Sequence, residues 1–167
     1  MILYLLRHAI ALSRDEWRES DRDRPLSSKG EQIMRRIADR MLEIPLSFDL
    51  ILSSPYRRAE QTANIVASTF KLKSALQFTD HLTPDGDSEE LIRSLTSLHP
   101  LPDSILLVGH EPYLSQLAST LVVGTSDLPL TLKKAGLVKL SIGSLRYRRC
   151  ATLEWLLAPG VLLDGRE

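Results

Sequence analysis

Two histidines each follow a short apolar run, at the point where a buried strand would end. His8 and Arg7 follow residues 2–6, and His110 follows residues 105–108 after a single glycine. A short apolar run that ends in a polar, titratable residue is typical of a buried parallel strand. Open α/β sheets bind ligands outside the carboxyl ends of their strands. The pattern therefore predicts one crevice that holds both imidazoles and an arginine and suits a phosphate group.

A second arginine completes a set of residues that could transfer a phosphoryl group. Arg58 lies one turn into a predicted helix, close to another strand end. Guanidinium groups match phosphate oxygens in pairs, and a neutral imidazole can attack phosphorus as a nucleophile. A second, protonated imidazole can stabilise the charge that develops on the oxygens. We therefore expect one neutral and one cationic histidine among His8 and His110, with Arg7 and Arg58 beside them.

Each of these residues also has a plainer interpretation. A buried histidine is most often part of a hydrogen-bonded core, and an arginine on a helix is most often solvated. A metal site formed by His8 and His110 is another alternative, but no H-x-H or H-x-x-H spacing supports it. No strand precedes His81 or His99, which favours a structural or surface role for each of them.

Length and composition narrow the class of protein. A chain of 167 residues predicts a single domain, residues 1–167, with one sizeable core. The 21 Lys and Arg residues balance the 21 Asp and Glu residues, so no net field favours nucleic acid or a membrane surface. The one cysteine, Cys150, excludes an intrachain disulfide and a multi-cysteine metal site. With no signal-peptide pattern and no long apolar run, we expect a cytoplasmic monomer or weak homodimer.

Apolar periodicity and turn residues predict strands and helices in alternation. The predicted strands cover residues 2–6, 49–52, 76–78, 105–108, 137–142 and 152–156. The predicted helices begin near Ser28, Ser54, Asp87 and Glu111. Ser28 and Glu31 have capping-box spacing, and Ser54 with Pro55 would supply an N-cap and a first-turn proline. Residues 9–26 are expected to form a surface loop. Together these elements predict a three-layer α/β/α sandwich with a mixed, mainly parallel sheet that ends in an antiparallel hairpin.

Five segments, in order along the chain, resemble motifs of the histidine phosphatase superfamily, the group that includes the cofactor-dependent phosphoglycerate mutases. They are Leu6-Arg7-His8-Ala9, Arg24-Pro25-Leu26-Ser27-Ser28-Lys29-Gly30, Ser53-Ser54-Pro55-Tyr56-Arg57-Arg58-Ala59-Glu60-Gln61-Thr62-Ala63, Leu82-Thr83-Pro84-Asp85-Gly86-Asp87 and Val108-Gly109-His110-Glu111-Pro112. The second and fourth resemble the SixA-type phosphohistidine phosphatases in particular. The resemblance implies a phosphoglycerate mutase-like fold and a phosphatase activity.

The resemblance also implies a role for each motif residue. His8 would be the nucleophile and would become phosphohistidine, while its other ring N–H donates to a backbone carbonyl and fixes the tautomer. Arg7 and Arg58 would hold the phosphoryl oxygens. His110 would hydrogen-bond the phosphoryl group and stabilise the transition state. Water would then hydrolyse the intermediate, and neither a metal nor a cofactor is required.

Two positions depart from the family pattern. Ala9 stands where the family often has glycine, so the turn after His8 should not need a positive φ. Mutase-like relatives carry an acidic proton donor after the third strand, where this chain has His81, with Asp80 beside it. His81 and Asp80 are therefore candidate acids. A weak acid would suit phosphohistidine, because its leaving imidazole needs far less help from a proton donor than an alkoxide does.

These observations predict a metal-independent phosphatase that acts on phosphohistidine in a protein of a phosphorelay or phosphotransfer system. The expected partner is a phosphohistidine-containing protein rather than a nucleic acid or a membrane. A phosphatase for a small phosphomonoester is the main alternative. A mutase is a weaker one, because little of the chain remains to build a closing lid. A phosphate-binding module without turnover is a third alternative.

Overall fold

The computed structural model describes residues 1–164 and contains one six-stranded sheet. The strands are β1 (Ile2–Arg7), β2 (Leu50–Ser53), β3 (Leu76–Phe78), β4 (Ser104–Gly109), β5 (Leu137–Ile142) and β6 (Ala151–Leu157). The helices are α1 (Ser28–Met41), α2 (Arg57–Thr69), α3 (Ser88–Thr96), α4 (Tyr113–Val123) and α5 (Pro159–Asp164). Short 3₁₀ helices cover Asp21–Asp23, Lys73–Ala75 and Asp80–Leu82.

The strand order in the sheet is β3-β2-β4-β1-β5-β6. The first four strands in this order are parallel, whereas β5 and β6 form an antiparallel hairpin beside β1. Arg7 of β1 pairs with Gly109 of β4, so His8 and His110 leave the sheet side by side. The predicted mixed, mainly parallel sheet and its closing hairpin are confirmed.

Helices cover both faces of the sheet, which explains the continuous apolar runs of the central strands. Leu3 and Leu5 of β1 pack into a core formed with α3 and α4. Tyr4 and Leu6 point to the other face and pack into a core formed with α1, α2 and α5. The predicted three-layer α/β/α sandwich is therefore confirmed.

The chain leaves β1 and β4 in opposite directions across the sheet. After β1 the chain runs through α1 to β2, which lies beyond β4 in the sheet. After β4 it runs through α4 to β5, which lies beyond β1 on the opposite side. Connections that diverge from two adjacent parallel strands leave a crevice at their carboxyl ends. His8 and His110 lie at this point.

The predicted helix starts near Ser28 and Asp87 are confirmed, whereas α2 begins three residues after Ser54. Ser27, not Ser28, caps α1 by accepting the Gly30 N–H at 3.0 Å. Helix α2 begins at Arg57 and has no side-chain cap, because the Ser54 hydroxyl contacts His110 instead. Asp87 caps α3 as predicted, accepting two backbone N–H groups. Helix α5 was not predicted, since six residues are too few for a clear helical period.

The loop between β1 and α1 is held more firmly than the sequence predicts. Ala11 forms a β-bridge with Leu26, and the Ser27 N–H donates to the Ile10 carbonyl at 2.9 Å. A Cβ atom on Gly30 would lie 1.9 Å from that same carbonyl oxygen, so only glycine allows α1 to begin here. These contacts bring the end of the loop back to residues 10 and 11, next to the carboxyl end of β1. Within residues 1–164, no helix is both long enough and apolar enough to span a membrane.

Candidate active site

His8 lies at the centre of the crevice and is only 7% exposed. Its Nδ1 atom lies 2.7 Å from the carbonyl oxygen of Ala9. A carbonyl oxygen can only accept, so Nδ1 carries the proton and Nε2 of the neutral ring keeps its lone pair. The Arg58 Nε–H donates to that Nε2 atom at 3.3 Å, which requires the same tautomer. The ring is thus arranged as a nucleophile, and the φ of Ala9 is not positive, as predicted.

Arg58 is 4% exposed and has hydrogen bonds along its whole guanidinium group. Besides the Nε contact to His8, Nη1 donates to the Asp21 carbonyl at 2.7 Å and Nη2 to the Asp21 carboxylate at 3.0 Å. The ring of Tyr56 lies 5.2 Å from the guanidinium carbon. These contacts hold a buried cation next to the nucleophile.

Asp21 was not among the predicted site residues. Its carboxylate also accepts from Arg24 at 2.9 Å and forms an ion pair with Arg14 at 3.2 Å. Burial raises the pKa of Asp21, but the Arg24 hydrogen bond and the charges of Arg58 and Arg24 outweigh it, so the pKa is lowered overall. The Arg24 motif could have pointed to this carboxylate, which lies three residues before it.

Thr62 joins the nucleophile's loop to helix α2. Its buried hydroxyl accepts the Ala9 N–H at 3.1 Å and donates to the Arg58 carbonyl at 2.7 Å. The residue that follows His8 and the residue that carries the guanidinium group are therefore fixed through one side chain. This contact gives a structural role to the threonine that stands four residues after Arg58 in the third of the five segments.

His110 is 2% exposed, and its ring centroid lies 5.1 Å from that of His8. Its Nε2 atom lies 2.9 Å from the hydroxyl oxygen of Ser54, while its buried Nδ1 atom has no partner within the described residues. The ring of Tyr56 packs edge-on against it at 5.2 Å. Ser54 was predicted only as a helix cap. Its position directly after buried strand β2 is the same signal that identified the two histidines.

The histidine pair differs from the expected one neutral and one cationic ring, because His110 is neutral as well as His8. Burial, then the electrostatic interaction with His110 and the charges of Arg58 and Arg7, lower the pKa of His8 well below its usual range, despite the opposing bond to Ala9. Burial, followed by the charge of Arg58, lowers the pKa of His110 to about 3. In the free site both rings are therefore neutral near pH 7, because desolvation and neighbouring cations disfavour an imidazolium.

Arg7 borders the same site from the end of β1. Its Nη1 atom donates to the Leu132 carbonyl at 2.8 Å, and its buried Nε–H has no partner among residues 1–164. Its charge lowers the pKa of both His8 and His110, so it lies within electrostatic reach of both rings. The four predicted residues Arg7, His8, Arg58 and His110 thus meet at one end of the sheet.

The two candidate acids lie on the 3₁₀ helix Asp80–Leu82, which follows β3. The Asp80 side chain is 80% exposed and its nearest cation is Arg22, at 3.9 Å. The half-buried side chain of His81 makes no hydrogen bond or ion pair within the described residues. Within the described residues, neither side chain forms a hydrogen bond or ion pair with His8, Arg58 or His110, so neither candidate acid belongs to the hydrogen-bond network of the site.

Within the described part of the chain, no group of three or more His, Cys, Asp or Glu side chains is placed to hold a metal ion. The histidine pair instead has arginines around it. Arg7, Arg24 and Arg58 all lower the pKa of His110, and Asp21 is the one carboxylate that raises it. The Glu111 carboxylate acts on Arg7 in turn, so three guanidinium groups face two carboxylates and the site stays positive, which suits a phosphoryl dianion.

Comparisons with known proteins agree with this geometry. Residues 3–83 match the family model described as the histidine phosphatase superfamily (branch 1). The chain is 39% identical over 149 residues to an uncharacterized protein of Picosynechococcus sp., covering 89% of each. It is 27% identical over 160 residues to the phosphohistidine phosphatase SixA of Escherichia coli, covering 95% of this chain and 94% of SixA.

Comparison of three-dimensional structures gives a similarity that also extends over almost the whole chain. A structure of the protein histidine phosphatase SixA complexed with tungstate superimposes with a TM-score of 0.84 at 26% identity. The alignment covers 97% of this chain and 99% of that one, so it includes the hairpin and the His110 segment that lie beyond the family-model match. By sequence and by fold, the chain belongs to the histidine phosphatase superfamily and is a phosphatase.

Proposed function

We propose that this phosphatase hydrolyses phosphohistidine in a protein substrate through a covalent phosphohistidine intermediate on His8. The observation that carries the proposal is the tautomer of His8. The Ala9 carbonyl holds the proton on Nδ1, and the unprotonated Nε2 atom lies next to the Arg58 guanidinium group. A neutral imidazole with its lone pair beside a buried cation is prepared to attack an anionic phosphoryl group.

In the first step, His8 Nε2 forms a bond to phosphorus as the bond from phosphorus to the substrate nitrogen breaks. Arg7 and Arg58 hold the phosphoryl oxygens, and the phosphoryl group displaces the Arg58 Nε–H from the His8 lone pair. In the second step, water forms the new oxygen–phosphorus bond and His8 leaves. The products are the free histidine of the substrate and inorganic phosphate.

His110 donates a hydrogen bond to a phosphoryl oxygen in both steps. When the Ser54 hydroxyl donates to Nε2 at 2.9 Å, the proton of the neutral ring lies on the unpartnered Nδ1 atom. The Tyr56 N–H approaches the same hydroxyl oxygen at 3.3 Å, which leaves the hydroxyl proton free for His110. A bound phosphoryl dianion also raises the pKa of His110, so binding itself favours the cationic ring that the transition state requires.

The surroundings of the leaving group favour phosphohistidine over an alkyl phosphate. The carboxylate that acts on His110 is Asp21, whose lowered pKa and bonds to arginines make it a poor proton donor. Asp80 is turned towards solvent and Arg22. An alkoxide leaving group needs a proton, whereas phosphohistidine protonated on its other ring nitrogen leaves as neutral imidazole.

The test measures the rate of hydrolysis of three substrates with the enzyme in excess: a protein phosphorylated on histidine, p-nitrophenyl phosphate and glycerol phosphate. We expect the first two to be hydrolysed and glycerol phosphate to be slower by about 10²- to 10⁴-fold, the usual contribution of a general acid. An alkaline quench of a reaction with labelled substrate should trap phosphate on His8.

Equal rates on p-nitrophenyl phosphate and glycerol phosphate would show that a competent acid exists and would favour a small phosphomonoester as substrate. Tungstate binding without turnover of any substrate would favour a phosphate-binding module. Label on a residue other than His8 would rule out the mechanism itself.

A further inference from the structure

We propose that Asp21 is a positioning residue, which holds the Arg58 guanidinium group in the orientation that phosphoryl transfer requires. The proposal rests on the proposed roles of His8 and Arg58. Asp21 contacts Arg58 twice, through its backbone carbonyl at 2.7 Å and its carboxylate at 3.0 Å. No motif of the chain includes Asp21, which lies in the loop between β1 and α1.

The donors of Arg58 show what this arrangement achieves. A guanidinium group has five N–H bonds in one plane. One points to Nε2 of His8, one to the Asp21 carbonyl and one to the Asp21 carboxylate. Two N–H bonds remain, one on each terminal nitrogen. When the phosphoryl group displaces the Nε–H from His8, the two bonds to Asp21 still fix the plane of the guanidinium group, and its free donors keep one direction for phosphoryl oxygens.

Asp21 is itself held in place from the outer side. Its Oδ1 atom accepts from Arg24 at 2.9 Å and pairs with Arg14 at 3.2 Å, which leaves Oδ2 for Arg58. Arg24 in turn donates to the Leu12 carbonyl at 2.7 Å. The carboxylate therefore links the nucleophile's loop to the arginine of helix α2, across 37 residues of sequence.

The charge of Asp21 allows an experiment to distinguish orientation of Arg58 from stabilisation of the fold. A carboxylate next to the phosphoryl site repels the substrate anion, so it weakens ground-state binding. If Asp21 acts by orienting Arg58, removing its charge should lower kcat without raising KM. If Asp21 only stabilises the fold, its loss should lower Tm and impair binding and turnover together.

The experiment measures kcat and KM for p-nitrophenyl phosphate, and Kd for tungstate, in Asp21→Asn, Asp21→Glu and the control Asp23→Asn. Asp23 lies in the same 3₁₀ helix but is exposed and has no side-chain bond within the described residues. For Asp21→Asn we expect kcat to fall about 10- to 100-fold, the scale of a small misplacement in a site, with KM and Kd unchanged or lower. Asp21→Glu should recover part of kcat, and Asp23→Asn should match the wild type.

A double-mutant cycle with Arg58→Ala decides whether Asp21 acts through Arg58. We expect Asp21→Asn to have no further effect on kcat in the Arg58→Ala background. An equal loss in both backgrounds, a rise in KM that matches the fall in kcat, or an effect of Asp23→Asn of the same size would overturn the proposal. Because the cycle uses p-nitrophenyl phosphate, it tests Asp21 even if phosphohistidine proves not to be the substrate.

Discussion

The carboxyl ends of β1 and β4 and the carboxyl end of β3 lie on one edge of the sheet, but they hold their side chains in different ways. His8 and His110 follow the two central strands, and each is at least nine-tenths buried with a hydrogen bond to its ring. Asp80 and His81 follow the edge strand β3, where Asp80 is 80% exposed. The side chains that follow the central strands are held by burial and hydrogen bonds, whereas the Asp80 side chain that follows the edge strand is exposed.

Burial is the cause of this difference. A central strand has a neighbour on each side and a helix layer on each face, so a polar residue at its end must find a partner and titrates far from its usual pKa. Strand β3 has three residues and one neighbour, and its residues are half-buried or exposed. The fold therefore fixes the buried histidines and leaves Asp80 and His81 outside their hydrogen-bond network, an arrangement that agrees with the proposed phosphohistidine substrate.

Loss of the nucleophile would have the largest effect on the central residues. We expect His8→Ala to lower kcat by on the order of 10⁶-fold, as loss of the nucleophile does in other covalent mechanisms. Circular dichroism should show an intact fold. The control is His99→Ala, which changes an exposed histidine outside all five motif segments. A His8→Ala enzyme with more than one-hundredth of wild-type activity would contradict the assignment.

The buried histidines should also govern stability in acid. The unfolded chain takes up a proton on each histidine near pH 6.5, whereas the pKa of folded His110 is about 3. The unfolded state therefore binds more protons between these values. Stability is full above pH 6.5 and falls towards pH 3, by up to about 1.4 kcal/mol for each pH unit from His110 alone.

This acid sensitivity can be measured by guanidinium unfolding of the wild type and His110→Gln at several pH values from 7 to 4. Glutamine does not titrate, so the variant should lose less stability as the pH falls. Parallel pH curves for the two proteins would mean that His110 does not stay neutral in the fold.

The Ser54 contact to His110 provides a smaller test of how firmly the central residues are held. Ser54→Ala removes the partner of the His110 Nε2 atom. We expect kcat/KM for p-nitrophenyl phosphate to fall about tenfold, the equivalent of one hydrogen bond of about 1.4 kcal/mol. Ser53→Ala is the matched control, because it removes a buried hydroxyl that donates to the Ser54 carbonyl and does not contact His110. Equal losses of activity in both variants would contradict a role through His110.

Substitutions of the two residues that follow β3, Asp80 and His81, should have the smallest effects on activity. We expect Asp80→Asn and His81→Gln each to leave kcat/KM for p-nitrophenyl phosphate within about twofold of the wild type, because neither side chain belongs to the hydrogen-bond network of the site and this leaving group needs little help from an acid. Steady-state kinetics at pH 7 measure this directly. A loss of tenfold or more in either variant would identify that residue as a working acid and remove the contrast between the two regions.

The order of the elements could be predicted because it depends on local signals. Six apolar runs of strand length, separated by helical periods and turn residues, are sufficient to predict an α/β sandwich. Helix starts were predicted less well. Ser54 fits the rule for an N-cap, but the rule takes no account of a competing partner, and His110 lies 56 residues away in sequence.

The sequence by itself determined which side chains stand at the strand ends, since the apolar runs before His8 and His110 and the motif around Arg58 are local patterns. Only the tertiary structure decided how these side chains are held. The bonds from Arg58 to Asp21 and from Ser54 to His110 join segments 37 and 56 residues apart, and no local period records such pairs. The tertiary structure also decided that both histidines are neutral, because burial and neighbouring arginines, two at His8 and three at His110, lower their pKa values.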